Sequence, residues 1–342
     1  MRRLRLPESV PGRLALVLVP AALVVALAVW RGPDFGLLER AFRAVEWEWI
    51  AVAVVVNFVS IVVRAQAWRV VITQSLPPPW PGRRAVFSAF CVGLLGNAAL
   101  PGRVGELARV AVVMRHVRRR TGTWATIVGT VFAHRLFDVV AAVVLVVFTL
   151  YAAPIPDWAG PLLAVAVGVG LGLLLAGFLF ARRQHQPLPE EVGRLRRMLH
   201  MGRHGLTVLR RPTPALQAQV LQLLAWMAQL VAVYTTMLAF RIDVSVAEAA
   251  LVLVIMNLVT IFPFWPGNVG LVQAAVAAAL LPYGVSYGHG FLFGIGVQAI
   301  EIGVGVGLGF VFLAREGFTF AMLRRMPEVT DVEIDERVER IA

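Results

Sequence analysis

Long apolar runs separated by short polar punctuation set the plan of this chain. Leu14 to Trp30, Ile50 to about Gln74, Trp124 to Tyr151, Pro161 to Ala181, Ala215 to Phe240 and about Val285 to Ala314 are each apolar throughout. About 20 such residues, at a rise of about 1.5 Å each, span a bilayer, so the pattern predicts six full transmembrane helices. Two further stretches, Ala85 to Met114 and Ala247 to Leu281, are equally apolar but are broken near the middle by Pro-Gly. The arm from Ala85 to Leu100 reaches roughly 24 Å as a helix, short of the roughly 30 Å hydrocarbon core. The return arm from Arg103 is shorter in apolar content and carries charge. Both stretches are therefore expected to be re-entrant half-helix hairpins, their tips inside the membrane and buried among the spans.

The broken stretches also match each other. "LPGRVGEL" at Leu100 to Leu107 aligns with "WPGNVGLV" at Trp265 to Val272, an offset of 165 residues. The same offset carries Ile50–Gln74 onto Ala215–Ala239 and Trp124–Tyr151 onto His289–Glu316. The reading is two repeats, about 48–151 and 213–316, each built as span, broken hairpin, span. They lie in one polytopic membrane domain over residues 1–320, followed by a short charged tail at 321–342. The first repeat begins outside and the second inside, an inverted-topology arrangement that puts a substrate site near the bilayer midplane. The expected fold class is an all-α integral membrane protein.

Composition agrees with a lipid-embedded chain. Of 342 residues, 59% are hydrophobic and 15% charged, and mean hydropathy is +0.77; a soluble domain is about a quarter charged. The net charge of +12 comes from arginine alone, since no lysine occurs. Those arginines gather at the ends of apolar segments and no aromatic-rich soluble module accompanies them, which argues against a nucleic-acid partner. By the positive-inside rule, Arg2, Arg3, Arg5 and Arg13 put the N-terminus in the cytoplasm, together with Arg83, Arg84, Arg115, Arg118 to Arg120 and the eight arginines of residues 182–211. The loops around Pro154 to Gly160 and Arg241 to Glu248 fall outside, and both termini fall inside. A bacterial cytoplasmic membrane is the expected location. "MRRLRLPESVPGR" resembles the start of a signal peptide, but no small-residue cleavage site precedes Arg31-Gly32-Pro33, so Leu14 to Trp30 is read as a retained helix. With Cys91 the sole cysteine, no intrachain disulfide and no cysteine-based zinc cluster can form. Neither a metal nor a cofactor is expected.

The chemistry concentrates at the breaks. Pro101-Gly102 and Pro266-Gly267 should each end one half-helix and open the next, aiming unpaired N–H groups and positive dipole ends at the middle of the bilayer. That describes an anion site, to which Arg103 adds a full charge. Glu106 and Arg109 follow on the same helix, spaced to form an ion pair. The expected headgroup or anion ligands are Asn97, Pro101, Gly102, Arg103, Gly105, Glu106, Arg109, Pro266, Gly267, Asn268 and Gly270. Arg135 and Asp138, one turn apart in mid-span, are read as a gating or charge pair, with Gln298 and Glu301 a comparable i,i+3 pair in the last span and Gln273 beside the second tip. A purely structural ion pair is the equal alternative for Arg135–Asp138. His134 is expected to be a hydrogen-bonded structural residue. The "GVGVGLG" run at Gly303 to Gly309 is expected to be a close-packing face, because no strand precedes it as in a phosphate loop.

"NAALPGRVGELAR", "HRLFD", "RAQAWR" and the late "PFWPGNVGLVQAA" together resemble the flippase-like transmembrane family of lysylphosphatidylglycerol synthases, over about residues 10 to 320. The family pattern carries an acidic residue shortly after the second Pro-Gly, where this chain has Gln273. The family's synthases also carry a soluble aminoacyl-transfer domain; this chain ends about 28 residues after its last span, so that activity is expected to be absent. The resemblance and the anion site together imply a non-enzymatic transporter. It would move the headgroup of a phospholipid or polyprenyl-phosphate-linked lipid, and its partners would be membrane lipids with anionic phosphate headgroups. A membrane-embedded enzyme with Glu106 or Asp138 as acid or base, and an accessory subunit of an envelope-synthesis complex, are the alternatives. A homo-oligomer or an envelope-synthesis partner is left open.

Overall fold

The computed structural model describes residues 45–99, 104–118, 122–182, 204–261 and 265–316. The predicted first span, the first tip with Pro101, Gly102 and Arg103, most of the arginine-rich segment at 182–211 and the tail at 321–342 lie outside the described residues.

Among the described residues the regular structure is helical, without strands. In chain order the α-helices are α1 (Trp47–Ser75), α2 (Arg83–Ala99), α3 (Gly105–Met114), α4 (Thr123–Ala152), α5 (Ala159–Arg182), α6 (Pro212–Ala239), α7 (Val246–Val259), α8 (Leu271–Leu280) and α9 (Tyr287–Arg315). Five of them, α1, α4, α5, α6 and α9, are long and apolar enough to cross a membrane, and their ends fall within a few residues of the predicted spans. The other four are short. The longest of these, α2 with 17 residues, extends roughly 26 Å.

Local chemistry sets the boundaries. Ser245 and Glu248 form a capping box at the start of α7, Ser286 caps α9, and Pro212 occupies the first turn of α6, where its missing N–H costs nothing. The second Pro-Gly element departs from expectation. Pro266 opens a single 3-10 turn, Pro266–Asn268, and not the return helix. Gly267, Asn268 and Gly270 all have positive φ (68°, 45° and 92°), a backbone that cannot continue an α-helix, so α8 begins at Leu271.

The long helices α1 and α6 pack along each other. Two of their contacts join positions 165 apart: Ser60 Oγ donates to the Ala225 carbonyl at 2.8 Å, and Arg64 Nη2 donates to Gln229 Oε1. The sequence offset is thus also a spatial relation. Packing is exchanged between the halves, since α9 lies on α2 while α4 lies on α7. Glycines permit the tightest crossings. A Cβ on Gly105 would stand 1.9 Å from the Gly93 carbonyl oxygen, which fixes how closely α3 returns along α2. In the "GVGVGLG" run, Gly305 and Gly309 pack on Leu94 and Leu95 of α2, whereas Gly303 and Gly307 meet nothing within 4 Å. Half of that run is a packing face.

Two apolar cores result, one drawn mainly from the first half and one mainly from the second. The outward faces are also apolar. Val165, Val169, Leu171, Leu173, Leu175 and Leu179 of α5 are all exposed, as lipid contact requires.

Candidate functional site

Between the two apolar cores the long helices turn polar faces inward. The cavity they enclose has a volume of about 290 Å³ and is lined by Arg64, Arg109, Arg135, Glu106, Asp138 and Glu301, together with neutral side chains that include Asn57, Asn97, Gln229, Asn257 and Gln298. Arg64, Asp138, Gln229 and Glu301 all lie near the middle of their helices. Ionisable groups at that depth are costly, and their cost falls when they pair.

They pair extensively. Glu106 contacts Arg109 at 2.5 Å and also binds Arg135, while Asn97 Nδ2 donates to Glu106 Oε1 at 3.3 Å. Arg135 bridges onward to Asp138 at 3.0 Å. Asp138 is the hub: it lies 3.5 Å from Arg64, accepts from Trp226 Nε1 at 3.1 Å, and accepts from Gln222 Nε2. Charge therefore runs without a break from α3 through α4 to α1.

The three arginines occupy different environments. Arg109 is 4% exposed, with its guanidinium 4.7 Å from the centre of the Trp68 ring and 5.8 Å from that of Phe90. Arg64 is 17% exposed and sits 5.2 Å from the Trp226 ring. Arg135 is 41% exposed and opens onto the cavity. Aromatic faces hold the first two guanidinium groups by cation–π attraction, and Arg135 keeps free donors toward the cavity. His134 is buried, with Nε2 3.3 Å from the Arg64 carbonyl oxygen, as a structural histidine would be.

The second half reaches the same cavity with amides. Gln273 Oε1 accepts from the Gly270 N–H at 2.6 Å and so satisfies the N-cap donor of α8. Gln273 Nε2 donates to Gln298 Oε1, Gln298 Nε2 donates to the Gly267 carbonyl, and Asn268 Nδ2 donates to the Val259 carbonyl at 2.9 Å. Gln298 and Glu301 do not bind each other. Glu301 Oε1 instead accepts from Gln229 Nε2 at 2.7 Å.

Of the residues singled out in the sequence, Asn97, Glu106, Arg109, Arg135, Asp138, Gly267, Gln298 and Glu301 line the cavity. Gly105 faces Gly93 and Gly96 instead, Gln273 stands behind Gln298, and Pro101, Gly102 and Arg103 fall outside the described residues. Sequence reasoning missed Arg64, Gln229, Gln222 and Trp226. Arg64 carried the clearest signal, because a lone arginine well inside an apolar run meets the rule that selected Arg135.

Comparison with known proteins identifies the family. The family described as the lysylphosphatidylglycerol synthase TM region matches residues 13–309. The chain belongs to this family. Two relatives from Methanothermobacter thermautotrophicus, each named a UPF0104 membrane protein, are 25% identical over 80% of this chain and 83% of the relative, and 23% identical over 79% and 86%. No solved structure shows a significant match. Family, relatives and apolar helices agree on a multi-pass membrane protein.

Proposed function

We infer that this protein is a transporter that carries the anionic headgroup of a membrane lipid between leaflets through the central cavity, the acyl chains remaining in lipid. One observation carries this reading: a cavity at mid-helix depth encloses three arginines, one of which, Arg135, is 41% exposed. A guanidinium with free donors inside a low-dielectric cavity can replace the hydration of a phosphate.

The reading extends to architecture. Leu14 to Trp30 supplies a sixth crossing, and α2–α3 and α7–α8 are re-entrant hairpins of inverted repeats whose shared axis passes between Arg64 and Gln229. The protein sits in a bacterial cytoplasmic membrane with both termini inside, and Arg103 at the first tip adds a further anion ligand. It acts by binding and release, without a covalent step. Its partners are lipids with phosphate headgroups.

The test is reconstitution into vesicles carrying fluorescent phosphatidylglycerol or, separately, fluorescent phosphatidylcholine, with the outer label quenched chemically. Wild type should expose inner-leaflet phosphatidylglycerol faster than protein-free vesicles do, and Arg135→Gln should lose most of that excess while remaining folded at the assay temperature. Equal rates for wild type and protein-free vesicles overturn the reading. So does a covalently changed lipid, which would point to an enzyme.

A further inference from the structure

We propose that Glu301 is a proton-binding site coupled to anion occupancy of the central cavity, so that the protein takes up a proton as it takes up an anionic headgroup. The proposal rests on the anion reading of the same cavity and adds to it the ion that is exchanged.

Glu301 differs from the other two carboxylates. Glu106 contacts two guanidinium groups, those of Arg109 and Arg135. Asp138 is flanked by two as well, those of Arg64 and Arg135, and accepts two neutral donors besides. Glu301 lines the same cavity with a single hydrogen bond, from the Gln229 amide. Among the described residues no guanidinium pairs with it. Arg64 reaches it through Gln229, whose Oε1 accepts from Arg64 while its Nε2 donates to Glu301.

The elements around α9 offer nothing else that titrates beside it. Helix α1 presents Arg64, α6 presents the Gln229 amide and α8 the Gln273 amide. From α2, Asn97 lines the cavity, and Cys91 is buried near the Gly309 end of α9. Across the cavity stand Glu106 and Arg109 on α3, with Arg135 and Asp138 on α4, all engaged with one another. His134 on α4 is buried behind them against the Arg64 carbonyl.

Charge counting supplies the coupling. Three arginines and three carboxylates line the cavity, so with every group ionised it is neutral. A phosphodiester entering would leave an uncompensated negative charge where water is scarce, which is strongly unfavourable. A proton on the carboxylate that lacks an ion-pair partner restores neutrality. It also leaves the Arg64 charge to the incoming anion. By linkage, if the anion raises proton affinity at Glu301, protonation raises anion affinity by the same factor.

The experiment uses the full chain purified in detergent. Dihexanoyl-phosphatidylglycerol and, in parallel, inorganic phosphate are titrated from about pH 5 to about pH 8, with binding read from the fluorescence of the tryptophans that flank Arg64 and Arg109. Wild-type affinity should fall about tenfold per pH unit above the carboxyl midpoint. Glu301→Gln, a fixed neutral side chain, should bind at every pH with the affinity of the wild-type acid limb. An indicator dye in weak buffer should record uptake of about one proton per anion, lost in Glu301→Gln. Should that variant fail to fold, Gln229→Leu serves instead: loss of the donor to the carboxylate moves the wild-type midpoint upward, and an unmoved midpoint overturns the proposal. Anion binding without a pH slope, or a slope retained by Glu301→Gln, overturns the coupling and leaves the anion site standing. Phosphate binding whose pH slope is lost in Glu301→Gln, without binding of the lipid, supports the coupling and overturns the lipid headgroup as its source; phosphate's own second ionisation affects wild type and variant alike. Absence of binding by folded wild type at every pH overturns both.

Discussion

The two halves of this protein interrupt an apolar hairpin at equivalent places and then satisfy the interruption with different chemistry. Around the first break the polar work is done by ions: Glu106, Arg109, Arg135 and Asp138 form a continuous chain. Around the second it is done by amides: Gln273 binds Gln298, Gln298 binds the carbonyl of Gly267, and Asn268 binds the carbonyl of Val259. Even where the halves touch, an arginine of the first, Arg64, meets a glutamine 165 residues later. An amide network is neutral in every state and ties side chain to backbone, so it fixes a shape. An ionic network of matched charges changes its net charge as soon as a proton or an anion arrives. The ionic chain is built to respond, and the amide network at the second tip to hold still while it does.

The largest test of this contrast compares Asp138→Ala with Gln298→Ala. The first removes the hub of the ionic chain, leaving Arg64 with no ion-pair partner among the described residues, Arg135 with Glu106 alone, and the Gln222 and Trp226 donors without their acceptor. Breaking a buried ion pair from one side costs about 3–5 kcal/mol. Gln298→Ala frees the Gly267 carbonyl and the Gln273 amide, and unmade neutral hydrogen bonds cost about 1–3 kcal/mol. Thermal unfolding in detergent should therefore place Asp138→Ala well below Gln298→Ala. The reverse order would show that the amide network is the more costly to break.

A finer test uses Gly105 and Gly270, which occupy matching positions in the two motifs and are glycine for different reasons. Gly105 must be small, since its Cβ would meet a backbone oxygen that cannot rotate away. Gly270 has open space around its Cβ but adopts φ +92°. Gly105→Ala should cost toward the upper end of the roughly 1–3 kcal/mol of overpacking and push α3 off α2, opening the cavity at Glu106. Gly270→Ala should cost about 1–2 kcal/mol of backbone strain and leave α7 and α8 in place. Cross-linking of cysteine pairs placed on α2–α3 and on α7–α8 separates the two outcomes.

How much of this was legible in the sequence follows from the same contrast. Spans are written in runs of apolar residues, so α1, α4, α5, α6 and α9 could be placed within a few residues. Intramembrane charge is conspicuous, so Glu106, Arg109, Arg135 and Asp138 stood out as soon as the spans were drawn. Amides are not conspicuous. Gln222 and Gln229 look like ordinary polar residues of a helix, and what makes them matter is which helix faces them, a property of packing that no local pattern encodes. Arg64 was legible by the same rule as Arg135, since it lies about ten residues inside the predicted span and inside α1; what the sequence could not show is that it faces Gln229 and Asp138. The second tip misled because Pro-Gly marks a break without specifying it. Three positive φ values in five residues delay α8 to Leu271, and Gln273 then bonds the N–H of Gly270 just before that helix.

The smallest expected effect is at the pair that joins the halves outside the cavity. Arg241, after α6, meets Glu46, before α1, at 3.1 Å, with the two side chains 66% and 43% exposed. The partners have the same chemistry as Glu106 and Arg109, and the difference lies in what surrounds them. Exposed pairs contribute about 0–1 kcal/mol because water and salt already serve both charges. The backbone link beside this one, from the Glu46 N–H to the Ala239 carbonyl at 2.9 Å, survives side-chain replacement. Arg241→Ala should therefore shift unfolding by less than about 1 kcal/mol, and the shift should shrink further in high salt. Asp138→Ala should remain the more costly change at low and at high salt, because the Gln222 and Trp226 donors it strands are buried and neutral. If Arg241→Ala instead cost as much as Asp138→Ala with the same salt dependence, exclusion of water would not be what distinguishes the ionic half. The contrast drawn between the halves would then fail at its physical root.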